Sequence, residues 1–321
     1  MILTLGTTPA VGRSMIFDKV TIDEVNRARE VIVSPAGKSV NVSRVLRVLG
    51  HEVVATGIVG GDTGKIVIAE MASLGVADAW LRTDSPTRVC VTIIDRASGQ
   101  VTELVEEAPP AHVEDQAKLL AVVDEWIGRC RVIVCSGTIA RGISDDLYAQ
   151  VAQKATGVNP CVVSVEDARV YTRGSLKPVV IVDAKGAALR KSCAHHPVIK
   201  CNAAELCDTF GGTLGEAINA ALRAGAMATV ISDGARPTTV ATPQGRWTID
   251  TPKIDVISPI GSGDSMAAGL AAGIERGWAI EEAARLGVAC AAANVMTPSA
   301  GVVDPTEVDR LFNQLRPIRT L

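Results

Sequence analysis

The sequence predicts an α/β fold: a mostly parallel sheet with helices on both faces, three layers in all, and a small inserted β-sheet lid. Three observations predict it. Short, continuously apolar, β-branched runs alternate with amphipathic stretches along most of the 321 residues, and strands that are apolar throughout belong to parallel sheets buried on both faces. Two segments, about 11–35 and 88–107, break this rhythm with strand-like runs and no long helix between them. Hydrophobic residues make up 47% of the chain but aromatic ones only 3%, so the core is aliphatic and alanine-rich. One domain over residues 1–321 is expected.

Taken in order, Met1-Ile2-Leu3-Thr4-Leu5-Gly6 reads as a buried first strand; it lacks the charged start and long apolar segment of a signal peptide. Further strands are expected at 53–59, 132–135, 179–182, 198–200 and 229–232, and helices at 40–49, 64–74, 117–130, 145–154, 214–224 and 280–297. Val42, Val45, Leu46 and Leu49 recur at helical spacing, a face made to pack on a sheet. In the second lid segment, Val91-Thr92-Ile93-Ile94-Asp95, a turn at Ala97-Ser98-Gly99 and the run 101–105 form a hairpin. Ligands of such sheets bind outside the carboxyl ends of the strands.

Charge and composition exclude several classes. Net charge is −3 with both signs interspersed, which speaks against nucleic acid and acidic membranes as partners. No apolar run approaches the ~20 residues of a membrane span. The eight cysteines form no C-x-x-C pair, and several sit in apolar runs such as Val132-Ile133-Val134-Cys135; buried, reduced thiols of a cytoplasmic protein are expected. His195-His196 before Pro197 reads as a solvated turn without metal-ligand spacing.

The most informative stretch is Ser258-Pro259-Ile260-Gly261-Ser262-Gly263-Asp264-Ser265-Met266-Ala267-Ala268-Gly269. Gly261 and Gly263 allow a tight turn and leave backbone N–H groups uncovered, and unpaired N–H groups at a helix start attract phosphate oxygens. A carboxylate there repels an anion, so Asp264 makes chemical sense as the acceptor of a proton from a hydroxyl that attacks the phosphate. The plainer alternative is an N-capped helix after a common Gly-x-Gly turn. A dinucleotide fingerprint fails because Met266 stands where the third glycine is needed. Gly37-Lys38-Ser39 mimics the end of a P-loop, but Ile32 occupies the required glycine position.

The whole stretch resembles the C-terminal signature of the PfkB (ribokinase-like) carbohydrate kinases. The resemblance implies a ribokinase-like three-layer fold, Asp264 as catalytic base, and an anion hole formed at Gly261, Ser262 and Gly263. It also implies ATP with Mg2+, and a lid that covers the sugar and pairs with a second subunit's lid in a homodimer. Ala36-Gly37-Lys38-Ser39-Val40-Asn41-Val42 resembles the family's Gly-Gly-Lys-Gly-x-Asn-Val: Gly37 would admit the substrate to the backbone, Lys38 would face a phosphate and Asn41 would bond sugar hydroxyls. Gly60-Gly61-Asp62-Thr63-Gly64 matches a loop near the sugar. Thr87-Arg88 matches a pair in the phosphosugar branch, where a guanidinium fork suits the substrate's existing phosphate. Thr138, in Ser136-Gly137-Thr138, falls at a strand end where hydroxyl residues reach phosphate. Lys200-Cys201-Asn202-Ala203-Ala204-Glu205-Leu206 matches Lys-Pro-Asn-x-x-Glu-Leu, implying that Asn202 and Glu205 organise magnesium around the nucleotide, Glu205 through water. Ser232 and Gly234, in Ser232-Asp233-Gly234-Ala235, match a loop bordering the nucleotide.

The departures cluster on the sugar side. Gly12 stands where the family places a sugar-binding aspartate, Ala36 replaces a glycine, Ser39 another, and Cys90 an asparagine. An extra stretch lies around 159–177. The expected activity is phosphorylation of a phosphorylated ketohexose, as in 1-phosphofructokinase or tagatose-6-phosphate kinase. The alternatives are a kinase of an unphosphorylated sugar or nucleoside, and a nucleotide- or sugar-binding regulator that has lost catalysis.

Overall fold

The computed structural model describes residues 1–157 and 177–320. Its strands are β1 (Ile2–Leu5), β2 (Ala10–Phe17), β3 (Glu30–Ala36), β4 (Val53–Thr56), β5 (Ile58–Gly60), β6 (Ala77–Asp78), β7 (Leu81–Thr83), β8 (Arg88–Asp95), β9 (Val101–Val105), β10 (Val132–Ser136), β11 (Val179–Asp183), β12 (Val198–Asn202), β13 (Ala228–Asp233), β14 (Arg236–Thr242), β15 (Gly245–Ile249) and β16 (Pro317–Arg319). Its helices are α1 (Lys38–Val48), α2 (Gly61–Ser73), α3 (Asp115–Trp126), α4 (Leu147–Thr156), α5 (Gly186–Ser192), α6 (Ala203–Phe210), α7 (Leu214–Arg223), α8 (Ser262–Glu275), α9 (Ile280–Val295) and α10 (Pro305–Gln314).

Ten strands form the main sheet in the order β16-β15-β14-β13-β12-β11-β10-β1-β4-β6. Pairing is parallel from β6 to β13 and antiparallel from β13 to β16. Period-two alternation splits the strand residues between two cores. Ile2, Val132, Val134, Ile181 and Val198 pack with α1, α2, α8, α9 and α10 on one face. Leu3, Ile133, Cys135, Val180, Val182 and Ile199 pack with α3 to α7 on the other. That is the expected three-layer arrangement. The antiparallel edge goes beyond the sequence expectation; β14 and β15 are rich in polar residues and carry no long buried run.

The lid is a separate four-stranded sheet, β3-β2-β8-β9, with β2 and β8 parallel and the outer pairs antiparallel. Pro35 is tolerated because β3 is an edge strand. The run 53–59 is broken at Gly57, where a side chain is impossible: a Cβ would lie 2.1 Å from the Gly6 carbonyl oxygen. The helix expected over 117–130 gives way after Trp126 to a 3-10 turn, Ile127–Arg129. Helix α8 stops at Glu275, and Gly277 turns the chain just beyond it with φ +80°. The described cysteines are free thiols, buried except for Cys207. Of the extra stretch around 159–177, all but Lys177 lies outside the described residues.

Candidate active site

The carboxyl ends of β10, β11, β12 and β13 meet the first turns of α1 and α8, and charged side chains concentrate there. Helix α8 begins after Gly261, which adopts φ +85°. No other residue fits that position: a Cβ would also lie 2.6 Å from the Ala300 Cβ and 2.9 Å from the Gly301 nitrogen. The Ser262 amide donates to the Pro259 carbonyl at 3.3 Å, whereas the first-turn amides of Gly263 and Asp264 have no intrahelical acceptor and form the open end of the helix. Asn294 in α9 holds this turn in place. Its Nδ2 donates to the Ile260 carbonyl at 2.9 Å, and its Oδ1 accepts from Ser265 Oγ at 2.9 Å and from the Gly301 amide at 2.8 Å.

Asp264 is 6% exposed. Burial pushes its carboxyl up to about 6 from 3.8, with Lys38 pulling the other way and Asp183 reinforcing the rise. Asn41 Nδ2 donates to Asp264 Oδ2 at 2.7 Å, and Asn41 Oδ1 is buried without a partner. Asn41 therefore serves the carboxylate with its amide and keeps its carbonyl oxygen as a free acceptor.

Behind the aspartate stands a charge cluster only partly visible in the sequence. Asp183, at the end of β11, is fully buried. Its Oδ1 accepts from Lys38 Nζ at 3.2 Å; its Oδ2 accepts from Lys200 Nζ at 3.4 Å and from Ser136 Oγ at 3.3 Å. Burial drives Asp183 upward, but Lys200 and Lys38 outweigh it and leave its pKa lowered. Asp183 in turn raises Lys38 against the effect of burial. Lys38 keeps 38% of its side chain exposed, so its ammonium faces the cleft. Lys200 does not: a Cβ on Gly263 would lie 2.8 Å from Lys200 Nζ, which places that ammonium directly beneath the cradle. A lysine inside Val198-Ile199-Lys200-Cys201 and an acid closing an apolar strand were the available signals, since such residues are rarely buried unless paired.

Most of the expected site residues are brought together. Gly37, with φ +98°, caps α1 and packs so close to Thr8 and Pro9 that a Cβ would lie 3.0 Å from each. Asn202 and Glu205 form a reciprocal capping box, the Glu205 amide donating to Asn202 Oδ1 at 2.8 Å and the Asn202 amide to Glu205 Oε2 at 3.1 Å. Glu205 Oε1 still lies 4.0 Å from Lys38 Nζ. Ser232 is the register partner of Asn202. Thr138 is exposed at the mouth, its carbonyl accepting from the hydroxyls of Thr7 at 3.2 Å and Thr8 at 3.4 Å. Two residues stand apart. Gly234 lies exposed on the β13–β14 turn. Arg88 sits at the lid base, donating to the carbonyls of Thr8 and Glu106 at 3.2 Å each, with Nε buried and unpartnered.

An open helix end at the strand ends of a doubly covered parallel sheet, with a buried acid beside it and a separate lid, is the arrangement expected of a ribokinase-like phosphotransferase. Residues 7–307 match the pfkB family of carbohydrate kinases, and the chain belongs to that family. Solved structures agree. A candidate phosphofructokinase of Staphylococcus aureus is 25% identical over 100% of this chain and 99% of its own, with a TM-score of 0.79. A Thermotoga maritima protein described as a possible 1-phosphofructokinase is 23% identical over 100% and 99%, with a TM-score of 0.85. Phosphofructokinase-2 of Escherichia coli, in complex with substrates and products, is 21% identical over 98% of each chain, with a TM-score of 0.85. The protein is a sugar kinase by family, and no described helix is long and apolar enough to cross a membrane.

Proposed function

We propose that this kinase transfers the γ-phosphoryl group of ATP to a hydroxyl of a phosphorylated ketohexose, with Asp264 as the general base. The observation that carries the reading is the Asp264 carboxyl, buried beside the open first turn of α8 and raised to about 6, near the operating pH at which a base works best. Asp264 takes the proton as the acceptor oxygen bonds to phosphorus and the bond to ADP breaks. The Gly263 and Asp264 amides, with Lys200 beneath them, stabilise the charge on the moving group. Lys38 faces the same charge from the cleft.

The donor set fits magnesium carried by phosphates. Among the described residues no three His, Cys, Asp or Glu side chains converge on a metal position, and magnesium meets protein through few carboxylates and keeps its waters. Glu205, ordered by Asn202, would hold those waters, and the ion would neutralise phosphate charge. Ser232 and Gly234 would border the nucleotide; Gly37, Asn41 and Thr138 would contact the sugar.

Arg88 is assigned to the acceptor's existing phosphate through its unpartnered Nε. One observation favours a second reading, a kinase of an unphosphorylated sugar or nucleoside: Arg88 already donates to two carbonyls. The lid also supports a homodimer, because Val31, Val33 and Leu104 share one face and are 44%, 44% and 54% exposed. Reduced, buried thiols support a cytoplasmic location.

The test is ADP release with magnesium-ATP across fructose 1-phosphate, fructose 6-phosphate, tagatose 6-phosphate and unphosphorylated sugars. Turnover of one phosphosugar, lost in Asp264→Asn and strongly weakened in Arg88→Ala, is expected. Turnover of an unphosphorylated sugar indifferent to Arg88→Ala would install the second reading.

A further inference from the structure

Position 12 of the lid lacks a side chain for a reason that lies on the neighbouring strand. Ala10 pairs in register with Arg88 and Gly12 with Cys90, and alternate residues of a strand share a face. Gly12 is therefore one step outward from Arg88 on the face that carries the guanidinium. On the other side, β3 sets Ser34 opposite Gly12 and Ala36 opposite Ala10. A Cβ built on Gly12 would lie 3.0 Å from the Ala36 Cβ and 3.5 Å from the Ser34 carbonyl oxygen. Carbon atoms approach comfortably only to about 3.5–4.0 Å, so a side chain at position 12 crowds the Ala36 methyl and one of the two must give way. This chain keeps the methyl on β3 and leaves β2 bare. The resemblance described above has the reverse arrangement, a carboxylate at position 12 and no side chain at 36.

The exchange changes the chemistry of the wall. The row through Gly12 runs Ser34, Gly12, Cys90 and Val105, with the Ala36 methyl one row inward and Glu103, opposite Thr92, one row outward on the same face; the thiol of Cys90 is 8% exposed, and the row itself carries no carboxylate or amide side chain. We infer that Gly12 and Ala36 are a coupled specificity pair, and that the acceptor passes this row with carbon and not with a charge-held hydroxyl. The acceptor class is a phosphorylated sugar that lacks a hydroxyl at this point or carries it alkylated. This rests on the phosphosugar kinase reading above.

Two measurements separate the parts. Melting temperatures of Gly12→Ala, Ala36→Gly and the double variant form a cycle that needs no turnover and keeps the steric claim testable if Gly12→Asp fails to fold. The expected result is a clear loss in Gly12→Ala that Ala36→Gly relieves; additive changes would overturn the coupling. Turnover is then compared between an accepted phosphosugar and its single-deoxy and O-methyl analogues. The wild type is expected to keep at least one analogue within about threefold of the parent in kcat/KM, and the parent-to-analogue ratio to rise about tenfold or more in Gly12→Asp/Ala36→Gly, the size of a charged hydrogen bond. An unchanged ratio in the double variant would overturn the assignment of the acceptor row. Wild-type silence on every phosphosugar would instead overturn the parent reading and with it the acceptor class, while the melting cycle still decides the pair.

Discussion

Asn41 donates its side-chain amide to Asp264 Oδ2 across 2.7 Å, tying the first turn of α1 to the first turn of α8 over a sequence separation of 223 residues. This bond lowers the Asp264 pKa against the larger upward push of burial. Removing it in Asn41→Ala raises that pKa further and moves the acid limb of the kcat/KM profile to higher pH. Activity at pH 7 should fall by about tenfold, the scale of a hydrogen bond to a charged group. A pH profile of unchanged midpoint would show that Asn41 does not tune the base.

For the wild-type enzyme the sign is fixed by the Asp264 carboxyl being raised to about 6. If Asp264 is the base, as proposed, it is protonated below that value and ionised above it, so log kcat/KM should climb with unit slope on the acid side and level off above about pH 6. Asp264→Asn should remove this limb and lower kcat by about 10²–10⁴-fold, with nucleotide affinity kept.

The same burial makes Asp264 a stability cost. A carboxyl held at about 6 instead of 3.8 costs on the order of 3 kcal/mol when ionised. The folded state binds the proton more tightly, so the cost is full above the folded value and vanishes below the unfolded one. Asp264→Asn should therefore raise the melting temperature at pH 7–8, and the gain should disappear near pH 4. Denaturation at the two pH values checks it.

Asp183 is shared by two lysines, and Lys200 is only 4% exposed. Asp183→Asn takes the hydrogen-bonded carboxylate from that buried ammonium and should cost about 3–5 kcal/mol, the range for breaking a buried pair. Asp183→Asn/Lys200→Met should recover part of the loss in urea denaturation, although not the activity.

Gly261→Ala combines a left-handed backbone with a 2.6 Å approach to Ala300. It should destabilise by more than about 1 kcal/mol and raise KM for ATP, because the turn that opens the α8 amides is displaced. Gly277→Ala is the control: it shares a positive φ, +80°, but nothing lies within 4 Å of its Cβ.

Local patterns had already specified much of this protein. Apolar runs fixed the parallel strands because both faces of each are covered, and the Gly261-Ser262-Gly263-Asp264 turn marked the cradle because its glycines and acid are adjacent in sequence. The small residues of the lid wall were visible as departures. The sequence did not reveal that Asn41 would be spent on Asp264, nor that Asp183 and Lys200 would sit beneath the cradle. Nor did it show that a side chain at position 12 would crowd Ala36. Each of those facts is a distance between segments far apart in the chain or on different strands, set by how α1, α8 and the strand ends pack. Periodicity and motif spacing record which residues share a local face; only the packed tertiary structure decides which charges meet, which are buried, and what their burial does to a proton.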